Sequence, residues 1–414
     1  MRSVTFKLKV LTPLFMGGAD PTGQPELRAA SIRGAMRFWF RAMAGTVTTD
    51  PREIYRLESE IFGNTERKSK VVVRVKTINS RIIHKGREVP LRLAVNKDVV
   101  EKLNGKEKRK YEELKKIHGD PFFESKIDYA YKLNFLAYLA NMGLTEYNKS
   151  KKGFVWSRSG FDVNTIFKVE FTTVNDETLK LIENLFPLAV QLGGFGARWR
   201  HGFGSCEIQT GPNTNWQIAL ENTKKWLLDR VNAIGELPEL PETEFPEFLS
   251  FRKGSYRIWS NRLRIGFSKW QEILTYIGLK YREFRIREGG YTEYGYTRDY
   301  ITLLNADGFS EEDLLNDVFG LPIQYKKGNI VEVYDYKKEV GRRASPLILH
   351  IEPRSKLVRA TLFKSRIVPD WPITQYYAKF GRKIDLIPPT IEDFSRIEEF
   401  VESLFANNRR HHNV

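Results

Sequence analysis

The patterning of this chain predicts an α+β fold class, with two ferredoxin-like (RRM-like, βαββαβ) domains in tandem and helical insertions, and three observations carry that expectation. Residues 1–212 read as strand, helix, strand, insertion, strand, helix, strand, which is the split βαβ arrangement. An acidic, proline-rich stretch from Glu236 to Pro246 marks a boundary region, around which the pattern restarts. The second half also echoes the first. Asp317-Val318-Phe319-Gly320, a basic loop and the strand Pro346 to Ile351 repeat Glu60-Ile61-Phe62-Gly63, a basic loop and Val71 to Val75. The expected division is therefore 1–212, with a helical insertion at about 82–163, and 213–414.

Each element has a local reason. Val4, Phe6, Leu8 and Val10 alternate with Thr5, Lys7 and Lys9, so Ser3 to Val10 is a strand with one buried face. Ser31 is placed to cap a helix from Ile32 to about Ala44. Arg33, Arg37 and Arg41 recur there every four residues, drifting only about 40° per step, and form one basic stripe. Arg52 to Ile61 reads as a helix stopped at Phe62-Gly63, followed by the strand Val71 to Val75. Within the insertion, Lys102, Lys106, Lys108, Arg109, Lys110, Lys115 and Lys116 interleave with Glu101, Glu107, Glu112 and Glu113, as on a solvated helix. Phe167 to Thr173 resumes strand alternation, Asp176 to Leu192 resumes helix, and Ser205 to Gln209 closes the unit. A helix from Trp216 to Ala233 begins the second half.

The segment Gly193 to Gly204 is the most unusual composition in the chain. It holds five glycines, where average usage predicts roughly one. A backbone with so few Cβ atoms can take φ > 0 and present its amides to an anion such as phosphate. If extended, it places Phe195, Ala197, Trp199, His201 and Phe203 on one side and Arg198 and Arg200 on the other. A glycine hairpin with solvated arginines is the plainer alternative.

Composition narrows the function classes. The formal net charge of +16 sets up a field that attracts polyanions, nucleic acid first among them. No run of eighteen apolar residues exists, so no membrane partner is expected. Lys7 and Lys9 interrupt the first apolar stretch, which does not read as a signal peptide. A lone cysteine, Cys206, fits a reducing cytoplasm, and the Lys- and Glu-rich usage points to a thermophile. The six histidines and the single cysteine lack zinc spacing, and neither a dinucleotide fingerprint nor a phosphate-binding loop is present. No cofactor and no metal are expected. His201, beside Arg198 and Arg200, is the one histidine in a setting suited to general-base cleavage of RNA; a packed ring is the other reading.

Basic stripe, glycine segment and duplicated plan together describe an RNA-binding protein. The motifs Thr12-Pro13-Leu14-Phe15-Met16-Gly17-Gly18, Ala30 to Trp39, Phe62-Gly63, Gly193 to Gly204, Phe319-Gly320-Leu321-Pro322 and Gly341 to Leu347 extend that description. On them the chain resembles the RAMP superfamily of CRISPR proteins and, within it, the first-subunit family of type III-B (Cmr) RNA-targeting effector complexes. The resemblance implies a place among other Cmr subunits at one end of a helical ribonucleoprotein engaged in antiviral defence. It also implies contact with the 3′ region of the guide (CRISPR) RNA and with paired target RNA. Catalysis is not implied, because target cutting there belongs to a different, repeated subunit.

By motif match the basic surface falls on Arg33, Arg37, Arg198, Arg200, Arg342 and Arg343. The residue reading adds Arg28, Ser31, Arg41, Gly194, Gly196, Trp199 and His201, and expects all of them to converge in one groove for ribose-phosphate. Two alternatives stay open: a metal-independent endoribonuclease that processes guide transcripts with His201, and a purely structural subunit whose basic surface meets acidic neighbours.

Overall fold

The computed structural model describes residues 1–18, 20, 23–90, 135–140, 143–151, 153–231, 235–265, 268–286, 345–366 and 391–406, with short stretches at 323–324, 330–334, 340–341, 374–377 and 383–385. In chain order the first half comprises β1 (Arg2–Val10), α1 (Ala29–Ala44), α2 (Pro51–Phe62), β2 (Val72–Asn79), β3 (Ile82–Ile83), α3 (Phe135–Ala140), β4 (Thr145–Asn148), β5 (Gly153–Trp156), β6 (Gly160–Phe161), β7 (Ile166–Thr173), α4 (Asp176–Leu192) and β8 (Cys206–Thr210). The second comprises α5 (Trp216–Leu228), β9 (Tyr256–Arg262), α6 (Trp270–Ile286), β10 (Ile323–Gln324), β11 (Ile330–Tyr334), β12 (Val340–Gly341), β13 (Leu347–Glu352), β14 (Leu357–Phe363), β15 (Thr374–Tyr377), β16 (Lys383–Asp385) and α7 (Ile391–Phe405).

The first sheet runs β2-β7-β1-β8 and is antiparallel throughout. Its alternating apolar positions, Val4, Phe6, Leu8 and Val10 with Phe167, Val169 and Phe171, face Trp39 and Phe40 of α1 and Phe186 of α4 in one core. Full burial of each such ring contributes about 2–3 kcal/mol, and Phe6 packs on Phe186 with centroids 4.6 Å apart. α5 lies on this core through Ala219, Leu220, Trp226 and Leu227. The second half holds a three-stranded antiparallel sheet, β13-β14-β9. Its core combines Leu349, Ile351, Val358 and Ala360 with Ile273 and Ile277 of α6 and Phe394 and Phe400 of α7. A separate sheet runs β10-β11-β15-β16, with β12 paired to β11.

Two expectations change. α1 begins at Ala29, with Arg28 at the N-cap and no side-chain cap. Ser31 sits inside the first turn, its amide donating to the Arg28 carbonyl at 3.1 Å, because Leu27 and Ala29 already pack on the core and Ala29-Ala30 favour helix. The described part of the insertion is mostly β: β4 pairs with β5 and β3 with β6, around the short α3. Its Leu136, Leu139 and Trp156 are buried in the second core. The mixed-charge run at 101–116 and the echo helix ending at Asp317 to Gly320 lie outside the described residues.

Candidate nucleic-acid interface

α1 and α2 meet through Phe40 on Phe62, with centroids 5.8 Å apart, and through one carboxylate. α2 is fixed at its start by Asp50, whose side chain accepts from the Arg52 amide at 2.9 Å with Pro51 at the first helical position. It ends at Gly63, in the left-handed region with φ 74°. An added Cβ there would lie 2.6 Å from the Ser69 amide nitrogen. Glu58 projects from the apolar face of α2 and is almost fully buried, its side chain 4% exposed. Arg37 donates to it at 3.0 Å, and Arg41 approaches it at 3.4 Å. Arg37 also donates to the Phe62 carbonyl at 3.0 Å and to the Gly63 carbonyl. It thereby satisfies acceptors that the end of α2 leaves open.

The sequence expectation for Arg37 is corrected accordingly. Its guanidinium is engaged internally, because a buried carboxylate and two carbonyls offer it a charge-assisted set of partners. Glu58 was missed by the sequence reading. A lone acid on an otherwise apolar helical face, between Ile54, Leu57 and Ile61, was the available signal.

The glycine segment is compact rather than extended. Gly196, Arg198, Gly202 and Gly204 all take positive φ, between 59° and 84°, so the two-sided alternation of aromatics and arginines that an extended segment would show does not form. The glycines serve close backbone crossings. A Cβ on Gly204 would lie 1.9 Å from the Phe195 carbonyl oxygen, on Gly196 2.4 Å from that of Phe15, and on Gly194 2.9 Å from that of Gly204. The amides of Phe195, Ala197 and Gly204 donate to the carbonyls of Gly204, Phe15 and Pro13 at 2.7–3.0 Å. The His201 amide donates to the Arg198 carbonyl at 2.9 Å. These amides therefore do not face an anion, and the glycines at 194 and 196 have an internal role.

The same segment joins the two cores. Leu349 of β13 donates its amide to the Arg200 carbonyl at 2.9 Å, and Ile351 donates to the Ser205 hydroxyl at 3.1 Å. His350 Nδ1 lies 2.8 Å from the Gly193 carbonyl oxygen, and Arg359 donates to the Gln191 carbonyl at 3.3 Å. Arg200 sits at this seam. Its guanidinium lies over the Phe38 ring at 4.8 Å and the Trp199 ring at 5.1 Å and donates to the Ser345 carbonyl. Burial pushes its pKa down to about 10, so it remains a cation at neutral pH. Trp199 is half-buried against Phe38 and Trp39, with centroids 5.3 and 6.3 Å away. That packing, rather than base stacking, is what its geometry shows. His201 Nδ1 lies 3.1 Å from the Leu139 carbonyl oxygen, and its ring contacts Tyr281.

The groove expectation is thus partly dismantled. Arg37 and Arg200 are held inside by carbonyls, a carboxylate and rings. Arg198, half-buried and left-handed, also has protein partners. The cations that α1 still offers to solvent are Arg28, which is exposed, and Arg41, whose side chain is 54% exposed despite its contact with Glu58. Arg33 is half-buried, and its Nε has no hydrogen-bond partner. Arg342 and Arg343 lie outside the described residues. Cys206 is buried, and burial raises its thiol pKa well above the usual range. Among the described residues no cluster of three His, Cys, Asp or Glu could hold a metal, and no helix is long and apolar enough to cross a membrane.

Comparison with known proteins follows the same outline. The RAMP superfamily profile matches residues 7–207. The Cmr subunit Cmr1-2 of the CRISPR system of Pyrococcus furiosus is 30% identical over 212 residues, covering 50% of this chain and 96% of that protein. The Cmr1-1 subunit of the same organism is 42% identical over 57 residues, 14% of this chain and 17% of that protein. The crystal structure of Cmr1 from Pyrococcus furiosus in its apo form superposes with a TM-score of 0.52 at 17% identity, covering 97% of both chains. That likeness shows a shared mixed α and β fold. With one relative matched along nearly its whole length and the superfamily profile spanning the first sheet and its helices, the chain belongs to the RAMP superfamily and, within it, to the Cmr1 family.

Proposed function

We propose that this chain is an RNA-binding subunit of a type III-B CRISPR (Cmr) effector complex that works in the cytoplasm without catalysing cleavage itself. It contacts the guide RNA near its 3′ region, the paired target RNA, or both, alongside other Cmr subunits. The match to a Cmr subunit along 96% of that protein's length carries the assignment to the complex. The charge of +16 and the exposed Arg28, at the N-cap of α1, and Arg41 on α1 support the RNA contact. Arg33, Ser31, Arg198, Arg342 and Arg343 remain in the proposed set, while Arg37, Arg200, Trp199, His201 and the glycines act by shaping the unit that carries it.

The tandem ferredoxin-like plan belongs to this proposal. The first sheet's order, β2-β7-β1-β8, with helices on one face supports it in the first unit. The order β-α, then β-β-α, through β9, α6, β13, β14 and α7 supports it in the second. A division near residue 212 is part of the same reading, with α5 packed back on the first core.

Salt titration of guide-length RNA binding tests the function. Each neutralised phosphate on a single strand contributes about −0.7 to the slope of log affinity against log salt, so a steep negative slope is expected and a flat one overturns the reading. Incubation with repeat RNA in EDTA tests the absence of catalysis. Intact RNA is the expected outcome, and site-specific cleavage abolished by His201→Ala would establish an endoribonuclease instead.

A further inference from the structure

The face of the first sheet turned away from its helices carries a feature that neither the motifs nor the family match assigns. Strand register places Lys7 of β1 opposite Lys168 of β7, and Lys168 opposite Lys76 of β2. Because Phe6, Leu8, Phe167, Val169, Val73 and Val75 point to the core side, the three lysines share the outer face. They form one row across three strands, about 10 Å long at the usual strand spacing. Lys76 and Lys168 are exposed and Lys7 is half-buried.

Like charges directly opposite each other in a sheet are destabilising, so two such pairs in succession work against the fold. Nearby carboxylates do not relieve them. Glu170 is paired with Arg74 at 3.9 Å, and Glu207 with Lys9 at 3.1 Å. Among the described residues no acid reaches Lys7, Lys76 or Lys168. Five cations on this face, the three lysines with Lys9 and Arg74, stand against those two carboxylates.

The chemistry of the face selects its ligand. Thr5, Glu170 and Arg74 flank the row on one side and Lys9 and Ile166 on the other, Val72 and Ile78 are exposed further along β2, and none of the outward positions on these strands is aromatic. The face therefore has nothing to stack on a base. Its centre is held by lysines, which are depleted from the centres of protein–protein contacts, and the apolar Val72 and Ile78 lie off that centre. An evenly spaced row of ammonium groups fits a ligand with evenly spaced negative charge. We infer that Lys7, Lys168 and Lys76 bind two or three phosphates of single-stranded RNA without regard to base, a second contact surface separate from α1. The inference rests on the RNA-binding reading above.

The test is salt titration of oligouridine and oligoadenosine binding by the full chain and by the triple variant Lys7→Gln, Lys76→Gln, Lys168→Gln. Relief of repulsion leaves the variant's Tm unchanged or raised, which checks its fold. The expected result is a slope shallower by about 1.4 to 2.1, equal for the two oligonucleotides. If the wild type binds with a steep slope that the variant retains, the lysine row is overturned while RNA binding by the chain stands. Should the isolated wild type bind neither oligonucleotide, acylation of the three lysines in the reconstituted complex before and after ribonuclease decides. Protection lost on digestion supports the inference. Protection that survives digestion means an acidic protein neighbour covers the row, and absence of protection means nothing does; either overturns it.

Discussion

Glu58 shows how one side chain can redirect the meaning of two others. Three arginines at four-residue spacing look alike in sequence, but Arg37 is 29% exposed and bonded to Glu58 and to the end of α2, whereas Arg41 is 54% exposed beside the same acid. Arg37→Ala should therefore lower stability by about 2–3 kcal/mol, through lost charged hydrogen bonds, with urea unfolding as the measurement. Arg41→Ala should cost less than about 1 kcal/mol and instead weaken RNA binding. A second acid gives a pH prediction. His350 beside it and Arg359 bonded to it hold the Glu352 carboxyl down to about 2 against the opposing effect of burial. Arg359, at 2.7 Å, is the firmer anchor of the two, since His350 Nε2 lies 3.8 Å away. A carboxyl lowered on folding stabilises above its ordinary value of 4.5 and loses that contribution as pH falls toward about 2. Stability should thus fall across that window, by at most about 3 kcal/mol and by less in so far as solvent screens this part-exposed carboxyl, and Glu352→Gln should flatten the loss.

At the level of elements, the glycine segment is a folding device first. Its residues 194, 196 and 204 have backbone oxygens where a Cβ would go, two of them at positive φ, so Gly204→Ala should destabilise by at least about 3 kcal/mol. Gly34, in the middle of α1 with nothing within 4 Å of its missing Cβ, should behave oppositely. Gly34→Ala there should raise stability by about 1 kcal/mol in the same urea assay. These contrasts explain what could be read from sequence. β1, β7 and the apolar faces of α1 and α4 were legible because one-sided burial imposes a period that composition alone records. Of the two forms open to the glycine segment the extended one does not occur, because positive φ at Gly196, Arg198, Gly202 and Gly204 breaks the period of two, and nothing in an arginine announces its share. The start of α1 was misplaced because Ser31 is a good cap by type, while Leu27 and Ala29 anchor the chain earlier by packing. Conversely, Arg37 with Phe62-Gly63, Trp39 with Gly193, and Phe15 with Gly196 are pieces of the motifs behind the family resemblance, and they touch one another. A family signature here reports a shared architecture as much as a ligand.

For the whole molecule, the decisive feature among the described residues is that the two cores are bonded to each other across a shared seam. Residues inserted between β2 and β7 bury Leu136, Leu139 and Trp156 beside α6, while Gln191, Gly193, Arg200 and Ser205 of the first half bond directly to β13 and β14. Each of those four bonds engages a backbone amide or carbonyl, whose loss of a partner in a buried place leaves an unsatisfied group. Opening the seam would therefore expose polar and apolar surface in both units together. Heating should unfold the described cores in a single calorimetric transition whose van't Hoff and calorimetric enthalpies agree. Two resolved transitions in the wild type would show that the seam contributes little. The same logic gives Arg200 a distinct signature. Arg200→Ala removes the cation over Phe38 and Trp199 and the bond to Ser345, and should split or broaden that transition while leaving the salt slope of RNA binding close to wild type. A residue contacting phosphate would change the slope instead, by about 0.7. Calorimetry and salt titration on this one variant thus separate the arginine that joins the units from the arginines and lysines that meet RNA.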